Sequence, residues 1–124
     1  MVWQDLILGW IERGRKMLIP EAEICFDTQN DSPSGLPYDL STGNIIRPAI
    51  NFGNDMLSSG TILTNNKIDV IKRGLFYNVI IEMPTIETEA YAEIKHLLRC
   101  GSNFKIQAAS RIIGKGRILD FSYD

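Results

Sequence analysis

Apolar and polar positions alternate through most of the chain, which is the pattern of short, half-buried β-strands. The clearest run is Phe76–Met83 (FYNVIIEM). Shorter runs of the same kind are found at Glu21–Phe26, Ile45–Phe52, Thr61–Leu63 and Ile68–Ile71. Residues 27–44 are rich in Asp, Asn, Ser, Gly and Pro, and this composition predicts a long loop of the kind that is often functional or mobile.

Two segments instead carry apolar residues at helical spacings. The first predicts an N-terminal helix over residues 1–17, where Trp3 and Trp10 lie on one face. The second predicts a helix over residues 85–99, with acids in its first turns and basic residues in its last, as the helix dipole favours. The sequence therefore predicts two helices beside a set of strands.

The last third of the chain, Phe104–Asp120 (FKIQAASRIIGKGRILD), predicts two short strands. We expect breaks at Arg111 and at a turn formed by Gly114–Gly116, because glycine tolerates positive φ. The segment contains four cations and no acid before its last residue. These cations are Lys105, Arg111, Lys115 and Arg117. They form either a contact surface for an anionic partner or a solvated face that pairs with the acids of the 85–99 segment and of the C-terminal tail.

Composition places the chain among ordinary globular domains. Its 124 residues fit one domain, and 44% of them are hydrophobic. The net charge of −2 means that binding of nucleic acid would depend on a local basic patch. Without a secretory signal pattern or a run of ~20 apolar residues, we expect a cytoplasmic protein that does not enter the membrane. Buried free thiols are the expected state of Cys25 and Cys100, with a disulfide as the alternative.

Few residues indicate catalysis. His96 is the single histidine, so a metal site would lack a second imidazole, and no nucleophile stands beside it. We therefore predict no enzyme, no metal and no cofactor. A pocket holding His96, Cys100 and an acid would support the opposite view.

Five motifs follow one another along the chain: EAEICF at 21–26, RPAINF at 47–52, SSGTI at 58–62, GLFYNVIIEM at 74–83 and FKIQAASRIIGKGRI at 104–118. Their order resembles the C-terminal (third) β-barrel domain of elongation factor Tu and related translational GTPases. Arg111, Gly114 and Gly116 keep the Arg-x-x-Gly-x-Gly spacing of that family's final hairpin. The chain lacks a P-loop motif, so the resemblance covers the barrel without the GTPase domain.

The resemblance implies a single, mainly β domain: a six-stranded closed or Greek-key barrel over residues 20–124. The N-terminal helix and the helix at 85–99 are additions to the family's pattern, the second as an insertion between strands. Short strands separated by turn residues favour the same small barrel or sandwich.

The resemblance also implies partners, because in the family this barrel contacts other protein domains and transfer RNA. Arg47 corresponds to a family arginine that approaches the RNA, whereas Ala108 and Ala109 replace a Glu-Gly pair that touches it. We therefore expect a non-enzymatic binding module for a protein partner, for example an immunity or antitoxin protein. RNA binding through a basic strand face is the alternative. The candidate contact residues are Arg47, Lys105, Arg111, Lys115, Arg117, Trp3 and Trp10.

Overall fold

The computed structural model describes residues 17–84 and 88–123, which form nine strands and one short α-helix. The strands are β1 (Leu18–Phe26), β2 (Leu40–Ser41), β3 (Ala49–Asn51), β4 (Leu57–Ser59), β5 (Thr61–Leu63), β6 (Val70–Ile71), β7 (Phe76–Glu82), β8 (Asn103–Ala108) and β9 (Arg111–Tyr123). Helix α1 spans Thr88–Ile94 and continues into a 3₁₀ turn, Lys95–Leu97. The prediction of a mainly β protein is confirmed.

Seven strands form one antiparallel sheet in the order β4-β3-β8-β9-β1-β7-β5. The two outer strands of this order are neighbours in the chain, joined only by Gly60. Its N–H donates to the carbonyl oxygen of Pro48 at 3.1 Å, and the N–H of Ile62 donates to that of Ile46 at 2.8 Å. Because these bonds extend the pairing of β3 along β5 while β7 pairs with the other edge of β5, the sheet closes into a barrel.

The segment Leu57–Leu63 is therefore one bent strand of the barrel. With β4 and β5 counted as this single strand, the barrel has six strands, as predicted. Gly60 marks the bend because a Cβ there would lie 2.5 Å from Ile81 and 3.1 Å from Met83. Both of these side chains are fully buried. A glycine at a barrel bend lets the backbone approach the core at this point.

The core follows from the alternation along each strand. On β1, Ala22, Ile24 and Phe26 point inward and are buried, while Glu21 and Glu23 face outward. These three buried residues belong to one hydrophobic cluster, to which the rest of the barrel and the helix contribute. Its remaining buried members are Leu18, Ile50, Phe52, Ile62, Ile71, Val79, Ile81, Met83, Ile94, Leu98, Phe104, Ile106, Ile113 and Ile118.

Strand β9 corrects one detail of the prediction, because Gly114–Gly116 lies inside this strand and is not a turn. The hairpin turn falls instead at Ala109–Ser110, between the paired residues Ala108 and Arg111. Ala109 has a φ of 55°, a left-handed conformation that costs an alanine more than a glycine.

The two glycines of β9 are explained by close approach. A Cβ at Gly116 would overlap the ring of Phe104, which lies directly opposite it on β8. A Cβ at Gly114 would lie 2.8 Å from the carbonyl oxygen of Cys25 on β1. Both positions therefore need glycine for packing.

Helix α1 packs on the core through its apolar side. Ile94 and Leu98 are buried, and Tyr91 stacks on the ring of Tyr123 with a centroid distance of 3.7 Å. The α-helix is shorter than the predicted 85–99, of which residues 85–87 lie outside the described residues. The predicted N-terminal helix, including Trp3 and Trp10, also lies outside them, except for residue 17, which is not helical.

The long polar segment 27–44 is attached to the barrel. The hydroxyl of Ser34 donates to the carbonyl oxygen of Ile112 at 2.6 Å. The guanidinium of Arg73 donates to the carboxylate of Asp39 at 2.9 Å, and β2 pairs with β6. Hydrogen bonds from the backbone and side chain of Arg73 lower the pKa of Asp39. This segment is therefore anchored at several points.

Candidate functional site: a basic groove on the outer face of the barrel

Two rows of outward-facing residues cross the strands β8, β9, β1 and β7. The antiparallel register fixes both rows. The first row is Lys105, Lys115, Cys25 and Phe76, and the second is Asn103, Arg117, Glu23 and Asn78. Residues that are far apart in the sequence therefore become neighbours on one surface.

The first row contains an aromatic side chain next to the lysines. Phe76 is 58% exposed, although it belongs to a strand. The ammonium of Lys115 lies 5.9 Å from the centroid of its ring, within the range of a weak cation–π contact. The lysine thus reaches across the position of Cys25, which is buried although it lies on the outer side of β1.

A groove of about 610 Å³ runs along these rows. Its lining residues are Glu23, Asn51, Phe52, Gly53, Asn54, Asp55, Phe76, Asn103, Phe104, Lys105, Lys115, Gly116 and Arg117. It is lined by three cations and two acids, so its charge is opposite in sign to that of the whole chain. The sequence-predicted cations Lys105, Lys115 and Arg117 are brought together here.

The loop that follows β3 forms one rim of the groove. Gly53, Asn54 and Asp55 all have positive φ (135°, 55° and 56°), a conformation that Gly, Asn and Asp adopt more readily than other residues. The buried side chain of Asn51 accepts a hydrogen bond from the N–H of Gly53 at 2.9 Å. Asn51 also donates to the side-chain oxygen of Gln107 at 2.8 Å, so this rim is fixed to β8. The rim is thus held in place before any ligand arrives.

The cations of the groove are weakly compensated. The nearest N–O distance between Arg117 and Glu23 is 3.7 Å, and both side chains are substantially exposed. Lys105 and Lys115 stand directly opposite each other, a like-charge arrangement that disfavours the folded sheet. The predicted pairing of the cations with acids of the 85–99 helix is absent among the described residues, where Arg117 pairs with Glu23 of β1.

Two other predicted cations do not line this groove. Arg47 donates to the hydroxyl of Thr61 at 3.5 Å, on the side of β3 that faces β5. Arg111 lies beside the Ala109–Ser110 turn, and a bulge in the pairing of β8 with β9 separates it from Lys115. The five predicted cations therefore do not form one continuous surface.

An apolar area adjoins the groove on the same face of the barrel. Leu63 on β5 pairs with Ile80 on β7, and both are more than 40% exposed. Together with Glu21, Asn78 and Leu119 they line a smaller depression of about 370 Å³. Because Asn78 also belongs to the second row, the basic groove and the apolar area form a continuous face, which we call the β9–β7 face.

Sequence reasoning missed Phe76, Glu23 and Asn103 as members of the groove. The run FYNVIIEM contains apolar residues on both faces of its strand, so its pattern does not distinguish the exposed Phe76 from the buried Val79. The acid and the amide become neighbours of Arg117 only through the pairing of β1, β9 and β8. Such pairing carries no local signal in the sequence.

Residues 17–84 and 88–123 were predicted to hold no metal site, and His96 and Cys100 were the residues whose position mattered for the opposite view. Three or more His, Cys, Asp or Glu side chains do not come together there in a way that would hold a metal ion. His96 and Cys100 are both exposed, and neither lines the basic groove. Within the same residues, we find no helix with the length and apolarity needed to cross a membrane.

The two cysteines are free, but only Cys25 is buried, so the prediction of two buried thiols is wrong for Cys100. Burial raises the pKa of the Cys25 thiol, and the ammonium of Lys115 partly opposes this rise. The buried thiol is therefore held in its neutral form beneath the groove.

Comparison with known proteins does not extend this picture: neither a protein-family model nor a curated sequence matches the chain. Function must therefore be inferred from the surface itself. A fold without a matching site does not define an activity.

Proposed function

We propose that this protein is a non-enzymatic binding module that recognises another protein through the β9–β7 face. The observation that carries the proposal is the exposed Phe76, which lines the groove together with three cations and lies four positions before the exposed Ile80 on the same strand. Aromatic residues and arginine are enriched where protein interfaces gain most of their energy. The barrel beneath this face is closed and well packed, so it provides a rigid scaffold for such contacts.

The aliphatic side chains favour a protein over a nucleic acid as the partner. Ile80, Leu63 and Leu119 lie on the outer side of the barrel, where a strand in contact with water normally carries polar residues. Nucleic-acid interfaces are more polar and more strongly positive than this face. A toxin domain, as expected for an immunity protein, is one class of partner that would cover it.

RNA binding is the second candidate, and the opposed pair Lys105–Lys115 is the observation that favours it. Glu23 and Asp55 line the same groove and would repel a phosphate backbone. Arg47 and Arg111 do not extend the patch. The cations therefore form a small site rather than a track along a strand of RNA.

A tagged pull-down from the native cell, with and without nuclease, tests the proposal. We expect a protein partner that resists nuclease and that is lost with Phe76→Ala, since this variant removes the exposed ring without touching the core. Tyr38→Ala is the matched control, because Tyr38 is 77% exposed and lies outside the β9–β7 face. Loss of all partners on nuclease treatment would support RNA instead. Equal capture by wild type and Phe76→Ala would exclude this face as the binding surface.

A further inference from the structure

The most unusual feature of the groove is a pair of lysines without a counter-charge. Lys105 and Lys115 are opposed across β8 and β9, and among the described residues neither forms an ion pair. Like charges directly opposite each other destabilise a sheet. A bound anionic group between the two ammonium groups would remove that repulsion.

The spacing of the groove restricts what such a ligand looks like. The ammonium of Lys115 lies 5.9 Å from the centroid of the Phe76 ring. Side chains two positions apart in an extended chain lie on the same face and are about 6.6 Å apart. An extended segment that places an acid beside the lysines would therefore bring its second following residue over the ring of Phe76.

We propose that the β9–β7 face binds an extended acidic peptide segment in which an Asp or Glu precedes an apolar or aromatic residue by two positions. The carboxylate contacts the Lys105–Lys115 pair, and a further acid contacts Arg117. The apolar side chain packs on Phe76. This inference rests on the proposed function, since it specifies which kind of protein segment the module recognises.

A peptide fits this site better than a phosphate chain. Glu23 and Asp55 flank the cations, and they penalise a ligand that carries a charge at every unit. A peptide with separated acids can avoid both of them. Further along β7, the exposed Ile80 and its partner Leu63 also give an apolar residue of a longer peptide a surface on which to pack.

Fluorescence anisotropy with short labelled peptides tests the inference. The probe carries two Glu residues and a Phe two positions after the first Glu. One comparison peptide has Gln in place of Glu, and another has the Phe moved by two positions. We expect the Gln peptide to bind about tenfold more weakly, the ratio that about three exposed ion pairs supply together. Moving the Phe should weaken binding as well, and raising the salt concentration should weaken the Glu peptide more than the Gln peptide.

Protein variants identify the residues involved. Lys105→Gln with Lys115→Gln should remove most of the difference in affinity between the Glu and Gln peptides, with Arg117 accounting for the rest. The variant should leave the fold at least as stable, because it removes the like-charge pair. Lys67→Gln is the matched control, since Lys67 is exposed and lies outside the groove.

Two kinds of result would overturn the inference. One is equal binding, or no binding, of the Glu and Gln peptides; the other is tighter binding of an oligouridylate of matched charge. If the peptides do not differ but Phe76→Ala still loses a nuclease-resistant partner, the inference fails while the proposed function stands. If the oligouridylate wins and every captured partner is sensitive to nuclease, both fail.

Discussion

Replacement of Gly116 by alanine should destabilise the protein in the absence of any ligand. Its added Cβ would overlap the ring of Phe104, which is only 3% exposed and cannot move toward solvent without opening the core. Overpacking of this kind costs about 1–3 kcal/mol. Phe104 also contacts Phe52 edge to face at a centroid distance of 5.8 Å. Such an aromatic pair stabilises the fold by ~1 kcal/mol, and a displaced ring would lose part of this energy.

Equilibrium unfolding in urea measures this effect. We expect the free energy of unfolding to fall by about 2–4 kcal/mol, against a total of about 5–15 kcal/mol for a domain of ordinary stability. Gly43→Ala is the matched control, because a Cβ at this exposed glycine would meet only the Ser41 hydroxyl at 3.5 Å. The control should stay within about 0.5 kcal/mol of wild type.

A second substitution tests whether the contact with Phe104 is what makes Gly116→Ala destabilising. Phe104→Leu in the Gly116→Ala background removes the ring that the new methyl group meets. The double variant should therefore lose less free energy of unfolding than the sum of the two single-variant losses, by at least about 1 kcal/mol. Strict additivity, or a single-variant loss below about 0.5 kcal/mol, would refute the view that Gly116 exists to accommodate Phe104.

Three further predictions concern stability and thiol chemistry. Ala109→Gly should raise the free energy of unfolding by about 0.5–1 kcal/mol in urea titrations, because it removes an unfavourable left-handed alanine from the hairpin turn. Asp39→Asn should lower the stability near neutral pH, since it weakens the contact with Arg73. The lowered pKa of Asp39 means that its contribution is fully present above the ordinary value of 3.8 and is lost as the pH falls through the lowered value, so wild type and variant should converge in acid. A thiol reagent should modify Cys100 rapidly in the native protein and Cys25 only after unfolding.

Each of these predictions has a contrary outcome. A destabilised Ala109→Gly would mean that the turn does not strain its alanine. If the stability difference between wild type and Asp39→Asn persists unchanged in acid, the charge of Asp39 is not its cause. Asp69→Asn, at another exposed acid, is the control. Simultaneous reaction of both thiols in the native state would contradict the burial of Cys25 beneath Lys115.

The fold could be predicted from the sequence because its signals are local. Alternation indicated Phe76–Met83 and Glu21–Phe26 as strands, and the structure has strands at both places. The helical spacing before Gly101 indicated a helix, although the α-helix itself is shorter. The closure at Gly60 depends on hydrogen bonds between segments that are distant along the chain, so it left no comparable local signal.

The candidate site was only partly predictable, and β9 explains why. Lys115 and Arg117 are two positions apart, so on a continuous strand they share a face, yet the glycines between and beside them suggest a turn that would separate them. The strand is continuous in the structure, and glycine stands at 114 and 116 because Phe104 and the backbone of β1 occupy the space that side chains there would need.

The separation of Arg111 from the cations of the groove arises at another point in the β8–β9 hairpin. The register between β8 and β9 shifts after Ile106, where a bulge inserts one extra residue on β9 between Ile112 and Gly114. Lys115 and Arg117 lie on one side of this shift and Arg111 on the other. A bulge depends on how two strands pair, which the residue pattern of one strand does not determine. The sequence therefore predicted the cations of the basic segment. The paired strands were needed to show that three of them line the groove and that Arg111 lies apart from it.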